Sequence, residues 1–298
     1  MRHLTSNPDK RTHFKHLCRT TDMKCKFCGS DNVVRYGIQN GIQQYFCYTC
    51  KRKFGGKDTL EGKHTPTAQI GAALSMFFDG LSPTKISEQL QGIYSDNVNP
   101  STIYRWIMEY SQKATELLKG YKLNVGNTWV VDETGIDING RNMWFWDIID
   151  ERTRFLLASH ISSARTIEDV AIVLKKAWDR AGKYPDFILS DKWLAYNKGF
   201  KRVFGSHAIH IKSQGFTAEI NTNLIERFHG TLKERTKVLR AFKSVDTAKI
   251  ILDGFVINYN FFRPHMTLKN TTPAQEAGTK LPFKTWEGLL RELQHHLT

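Results

Sequence analysis

Two sets of side chains in this 298-residue sequence have types and spacings suited to chemistry. The first is four cysteines, arranged as Cys25-x2-Cys28 and Cys47-x2-Cys50 with 18 residues between the pairs. Zinc needs four soft or borderline ligands in a tetrahedron, and two tight Cys-x2-Cys turns supply them. A secreted domain could use the same residues for disulfides. No signal-like apolar stretch follows the basic N-terminus, however, and Cys18 makes the count odd. The spacing therefore predicts one structural Zn²⁺ on Cys25, Cys28, Cys47 and Cys50. Near Cys18, His13 and His16 read as incidental residues of a flexible basic arm.

The second set is three acids, Asp132, Asp191 and Glu226, with 34 residues between the last two. Hard divalent cations such as Mg²⁺ take oxygen ligands, usually a few carboxylates with water and substrate phosphate. Three carboxylates can hold two such ions roughly 4 Å apart, one at the attacking oxygen and one at the leaving oxygen of a phosphodiester. No serine or cysteine stands out as a nucleophile, and this chemistry needs none. Spacing alone does not select these acids, because about a tenth of the residues are acidic. Their setting does.

Asp132 ends the β-rich run NTWVVD (127–132), and Asp191 ends FILSD (187–191). Open α/β sheets place their sites at such carboxyl ends. After Asp132, residues 135–138 lead to Asn139-Gly140, the strongest two-residue hairpin signal, and then to MWFWDIID and RFLLASHIS. Those segments read as an antiparallel meander. Thr166-x-x-Asp169 is a capping box for a helix carrying Ile167, Val170, Leu174, Ala177 and Trp178. A short strand over 208–211 and helices near 220–240 and 245–260 complete a mixed α/β sheet covered by helices. On the first of those helices Asn223, Glu226, His229, Lys233 and Lys237 share one face. Leu224, Phe228 and Leu232 share the opposite face, which can pack on the sheet.

Glu133, Asp137, Asp147 and Asp150 near Asp132 are expected to be turn or surface residues. A one-residue register slip would exchange Glu133 for Asp132. Trp144, Phe145 and Trp146 are expected to pack in the core, because consecutive strand residues alternate faces. His229 and His265 could serve phosphate binding or structure alike.

Upstream of the sheet, VVRYGIQNGIQQYF reads as a hairpin turning at Asn40-Gly41, and Gly55-Gly56-Lys57 as a linker. Ile70, Leu74, Phe77 and Phe78 mark a first helix ended by Asp79-Gly80. Ser82-Pro83 caps a second helix with Ile86 and Leu90. Asn99-Pro100-Ser101-Thr102 opens a third, with Ile103, Trp106, Ile107 and Tyr110 on one face. Three short helices fit a helix-turn-helix, in which Ser101, Thr102, Tyr104 and Arg105 would face the DNA major groove. A plain three-helix bundle is the alternative.

Charge agrees with a polyanionic partner. Lys and Arg number 43 against 29 Asp and Glu, a net charge of +14. Residues 1–60 hold 12 of these bases and four acids, which places +8 of the excess there. At 40% hydrophobic the chain is not disordered by composition. No apolar run approaches the roughly 18 residues of a membrane span, and no basic amphipathic helix appears, so a membrane partner is not expected.

WVVDET, LSDKWLAY and NLIERFHGTLKER resemble the catalytic core of DDE transposases, most closely the insertion-sequence-six-like branch, and more broadly retroviral-type integrases. NYNFFRPHMTLKNTTPAQ (258–275) resembles the segment that closes such cores. Trp193 departs from the small residues common there, and many members lack a zinc ribbon. The resemblance implies Asp132, Asp191 and Glu226 as catalytic residues holding two Mg²⁺ or Mn²⁺ ions. It also implies that Lys233 contacts the DNA end, and Lys237 continues that basic stripe. The implied fold is an RNase H-like mixed five-stranded sheet flanked by helices, preceded by a small zinc ribbon and an all-α helix-turn-helix module.

The expected divisions are a basic arm (1–20), zinc ribbon (21–56), helix-turn-helix (64–118), catalytic domain (123–280) and C-terminal helix (281–298). The expected function is a DNA transposase that binds terminal inverted repeats of an insertion sequence, cleaves them and transfers the strands to target double-stranded DNA. It would act as a homodimer or higher homo-oligomer, in the cytoplasm with the nucleoid. A DNA-binding regulator with an inactive core, and an RNase H-like nuclease for branched or hybrid substrates, are the rivals.

Overall fold

In the computed structural model, residues 23–39, 42–56, 59–60, 62–212, 223–239 and 242–296 are described. The expected arm, with His13, His16 and Cys18, and the Asn40-Gly41 turn lie outside them. The described residues fall into two compact units. One comprises those up to Ala68 together with those from Leu290, and the other runs Gln69–Leu289.

In the first unit, β1 (Val33–Gln39), β2 (Ile42–Cys47) and β3 (Lys53–Gly55) form an antiparallel sheet in that order. Its core is six buried residues, Cys25, Phe27, Val33, Tyr45, Cys47 and Phe54. So small a core rarely holds a fold without a staple, which four cysteines can provide. The expected linker is corrected here. Gly55 ends β3, and the Gly56 N–H donates to the Gln43 carbonyl at 2.7 Å. A Cβ on Gly56 would meet Tyr45 Cε2 at 2.8 Å, so the glycine permits a close approach that composition reads as slack.

Three helices follow: α1 (Thr67–Phe78), α2 (Pro83–Tyr94) and α3 (Pro100–Lys119). Ser82 and Asn99 are N-caps with proline at the first helical positions, as the capping signals predict. The predicted face of α3, Ile103, Trp106, Ile107 and Tyr110, is buried and extends through Ser111, Ala114 and Leu118.

The meander forms as β4 (Thr128–Ile138), β5 (Arg141–Asp150) and β6 (Leu156–Ser162), with Asn139 and Gly140 both at positive φ in the first turn. Asp137 is the turn residue expected, accepting from Gly140 N–H at 3.1 Å. After α4 (Ile167–Ala181) come β7 (Phe187–Ser190), α5 (Leu194–Phe204) and β8 (Ile209–Lys212). The five-stranded order is β6-β5-β4-β7-β8, antiparallel at the β4–β5 and β5–β6 pairs and parallel at β4–β7 and β7–β8. A meander continued by parallel strands through helical crossovers is the RNase H-like arrangement, as expected. The Thr166–Asp169 capping box is formed at the start of α4.

Three further helices, α6 (Asn223–Thr236), α7 (Val245–Ile257) and the short α8 (Pro273–Glu276), precede α9 (Trp286–His296). The α3 face packs on α7, where Gly254 lies so close to Phe78 and Ser111 that a Cβ would stand 2.4 Å from the Phe78 ring. Asn260, in the π-helical turn after α7, clamps the sheet edge. Its amide accepts from Leu156 N–H at 2.8 Å and donates to the Leu156 carbonyl at 2.9 Å.

Candidate active site

The parallel pairing of β4 with β7 puts two acids side by side. Thr128, Trp129 and Val130 pair with Phe187, Ile188 and Leu189, so the chain leaves β7 with Asp191 alongside Asp132. One ligand oxygen from each of Asp132, Glu133 and Asp191 lies within 4.8 Å of the others. Oδ1 of Asp191 is oriented by the Trp193 N–H at 2.8 Å. Glu226 is partly exposed on α6 and is not one of that close trio.

Glu133 is already engaged. Arg165 pairs with its Oε1, and the Tyr196 hydroxyl donates to its Oε2. The Arg165 guanidinium stacks over Trp144 at 4.8 Å and Trp193 at 4.4 Å, where the rings favour a cation. Burial raises the Glu133 carboxyl above its ordinary value, against Tyr196 and Arg165. Burial, with Glu133 next, holds the Tyr196 hydroxyl protonated and fit to donate.

Behind Asp132 stands a second, buried pair. Asp132 and Asp147 are cross-strand partners in β4 and β5, so both carboxylates lie on one sheet face. His229 comes from α6 between them, its Nε2 at 2.7 Å from Asp147 Oδ1 and its Nδ1 at 3.7 Å from Asp132 Oδ2. Asp147 has no solvent exposure. Burial pushes the Asp132 carboxyl up to about 7, with Asp147 and Glu133 adding to it and His229 opposing. Burial alone would lower His229, but Asp147 outweighs it and the imidazole is raised, favouring the doubly protonated ring. A histidine held by a buried carboxylate is the usual way to fix the orientation of a neighbouring ligand.

Glu133 and Asp147 therefore differ from the surface or turn placement expected of them, while Asp150 stands at the turn after β5 as expected, though buried. Glu133 has only 3% side-chain exposure, and Asp147 and Asp150 have none. The helical stripe also needs correction. The buried face of α6 is Ile225, Phe228, His229 and Leu232, so His229 points to the sheet, and Leu224 is only partly covered. Lys233 is exposed in the last turn. Lys237 is exposed too, but α6 stops at Thr236 and Lys237 starts a 3-10 turn. Phe145 and Trp146 are core residues as expected, while Trp144 is partly exposed and stacks Arg165.

Arg165 and Tyr196 carry no sequence signal of their own. The nearest clue is that Arg165 directly precedes the capping box, which fixes where its backbone must lie. Asp147 had a usable clue, since hairpin register from Asn139-Gly140 pairs it with Asp132.

On α3, Ser101 and Arg105 are exposed and Thr102 is partly so. Arg105 folds back on the helix, donating to the Ser101 carbonyl and, at 3.0 Å, to Thr102 Oγ1. Tyr104 hydrogen-bonds Thr247 of α7, and burial raises its hydroxyl pKa.

The four cysteines converge within 4.8 Å, with Cys25–Cys50 and Cys28–Cys47 sulfurs 3.6 Å apart. Four thiolates at about 2.3 Å from a tetrahedral zinc lie about 3.8 Å from one another, so the donor set fits that ion. Gly29 and Lys51 follow the two Cys-x2-Cys turns at corresponding positions, with φ of +70° and +59°.

Among the described residues no helix is long and apolar enough to cross a membrane. The family model for the DDE domain matches residues 126–265. A transposase for insertion sequence element IS257 in transposon Tn4003 of Staphylococcus aureus is 27% identical over 183 residues, 61% of this chain and 79% of the relative. A putative transposase InsK for insertion sequence element IS150 of Escherichia coli (strain K12) is 24% identical over 149 residues, 49% of this chain and 53% of that one. Among solved structures, the catalytic core domain of HTLV-2 integrase in complex with magnesium gives a TM-score of 0.42 at 15% identity. It covers 51% of this chain and 97% of that one.

Proposed function

We propose that the chain is a DDE-type transposase, a reading supported by its DDE-domain match over residues 126–265, and that it cleaves DNA at the ends of an insertion sequence and joins the freed strands to target DNA. The observation that carries this reading is Asp132, within β4 rather than at its end as expected, beside Asp191, which directly follows the parallel strand β7. Glu133 has both oxygens committed to Arg165 and Tyr196, which leaves the metal-facing roles to Asp132, Asp191 and, from α6, Glu226.

These three would hold two Mg²⁺ or Mn²⁺ ions. Burial that drives Asp132 toward protonation makes a cation in front of it favourable, so the residues fit such ions. When bound, the pair activates the attacking oxygen and neutralises charge on the leaving oxygen. His229, braced by Asp147, orients the Asp132 carboxylate from behind. Arg165 and Tyr196 keep Glu133 turned away from competing for the same position. Lys233, with Lys237 beyond the helix end, would meet phosphates of the end being cut.

Residues 23–56 would hold one Zn²⁺ as a structural staple of a DNA-reading ribbon. Ser101, Thr102 and Arg105 would add contacts from α3, with Tyr104 of the same helix set against Thr247 of α7. Two element ends require two sites, hence at least a homodimer, acting in the cytoplasm at the nucleoid.

The test is a plasmid carrying the element's ends, supplied with Mg²⁺ and either the native chain or Asp191→Asn. Joined products from the native chain alone, with end binding kept by both, are expected. Equal products from both chains would refute the reading.

A further inference from the structure

An open cleft of about 580 Å³ is lined in part by α6, and none of Asp132, Asp191 and Glu226 lines it. Arg154, Arg227 and Arg263 line it together with Tyr259 and His265, and among the described residues Glu151 is the one carboxylate on its wall. Among the described residues none of the three arginines forms an ion pair with a carboxylate. Such a concentration of unneutralised guanidinium groups around a concavity is unfavourable unless an anion enters it.

The cleft is built, not incidental. Arg154 sits at φ +61°, a left-handed backbone that arginine adopts only when its surroundings impose it. The fully buried Asp150 imposes it here. Its Oδ2 accepts from Thr153 N–H at 2.9 Å and from the Thr153 hydroxyl, and its carbonyl accepts from Arg154 N–H at 2.9 Å. On the opposite wall Tyr259 is almost fully buried and packs edge-on against Phe228 and His265. Nε2 of His265 is buried without a hydrogen-bond partner, a polar group left waiting within the same wall.

Helix geometry separates this cleft from the acids. Asn223, Arg227 and Thr231, at i, i+4 and i+8, line the cleft. Arg227 and Thr231 lie about 100° or more around α6 from Glu226, His229 and Lys233 at about 100° per residue, while Asn223 borders the Glu226 side. A strand held at the acids therefore does not reach Arg227 by the same face.

We infer that the Arg154–Arg227–Arg263 cleft grips the sugar-phosphate backbone of a DNA segment other than the strand at the acids. Guanidinium forks match phosphate oxygens two at a time, and three of them around an open cleft of about 580 Å³ suit successive phosphates of a polymer better than a lone anion. The inference rests on the reading of this chain as one that acts on DNA.

The test measures binding of a short labelled duplex of arbitrary sequence between about 50 and 200 mM salt, where each phosphate contact contributes about 0.9 to the slope of log K against log salt. The triple variant R154Q/R227Q/R263Q is expected to lower that slope by about 2.7, and Arg227→Gln alone by about 0.9. Arg227 is exposed, so the single variant keeps the test valid if the triple one unfolds. An unchanged slope in a folded variant, while the native chain binds the duplex, overturns the cleft and leaves the transposase reading standing. Absence of duplex binding by the native chain overturns both. Thermal stabilisation of the native chain by millimolar inorganic phosphate, lost in the variants without any change of slope, would mark a small-anion site and also overturn the inference.

Discussion

Replacing His229 by alanine tests whether the pair behind Asp132 is a structural brace. Among the described residues the imidazole is the sole hydrogen-bond partner of the Asp147 side chain, since Asp147 Oδ2 has none. Asp147 is wholly buried, so the substitution strands a carboxylate in the core with no donor. Breaking a buried charged pair from one side costs about 3–5 kcal/mol, well above the value of a surface ion pair. For a folding unit of this size each kcal/mol moves the melting temperature by about 2–4 °C, so His229→Ala should melt about 6–20 °C lower. Calorimetry and urea unfolding measure it. The double variant Asp147→Asn with His229→Gln removes the stranded charge. Its loss should fall short of the sum of the two single losses by about 1 kcal/mol or more. A His229→Ala loss under about 1 kcal/mol, or strict additivity in the cycle, would refute the brace.

Three other outcomes follow from the same structure. A zinc chelator should unfold the ribbon while the sheet's far-ultraviolet signal persists, and a colorimetric assay should count one Zn²⁺ released per chain; an intact ribbon after chelation contradicts the staple. Asn260→Leu should cost about 2–6 kcal/mol in urea unfolding, because it leaves the buried N–H and C=O of Leu156 both unpaired at about 1–3 kcal/mol each. Burial holds His160 and His210 below the ordinary imidazole value, so the unfolded chain takes up protons first as pH falls through about 6.5, and the stability they contribute at neutral pH drains away. Substituting both by glutamine should flatten the fall in melting temperature between pH 7 and 5.5, and an unchanged slope would count against neutral burial.

Much of the site could be read from the residues because it depends on short-range rules. Asn139-Gly140 sets the β4–β5 register, the Thr166 capping box starts α4, and a strand ending at Asp191 beside one carrying Asp132 follows from the crossover. The Cys-x2-Cys pairs are similarly local. What escaped reading depends on contacts made across the fold. A 3.6-residue period put His229 on the open stripe of α6, yet the pull of buried Asp147, 82 residues away in sequence, turns it inward. Glu133 looked like a surface neighbour of Asp132 because nothing in its surroundings announces Arg165 or Tyr196. Gly56 looked like a linker because composition does not register the Tyr45 ring lying against it.

Asp191→Cys tests the central claim most directly. A thiolate in place of the carboxylate disfavours Mg²⁺ and accepts softer ions. The account predicts that strand joining in Mg²⁺ disappears, that Mn²⁺ restores a measurable part of it, and that DNA binding is unchanged throughout. Joining in Mg²⁺ at the native rate, or a loss that no metal relieves while Asp132→Cys behaves as native, would contradict Asp132 and Asp191 as the pair that holds the metal.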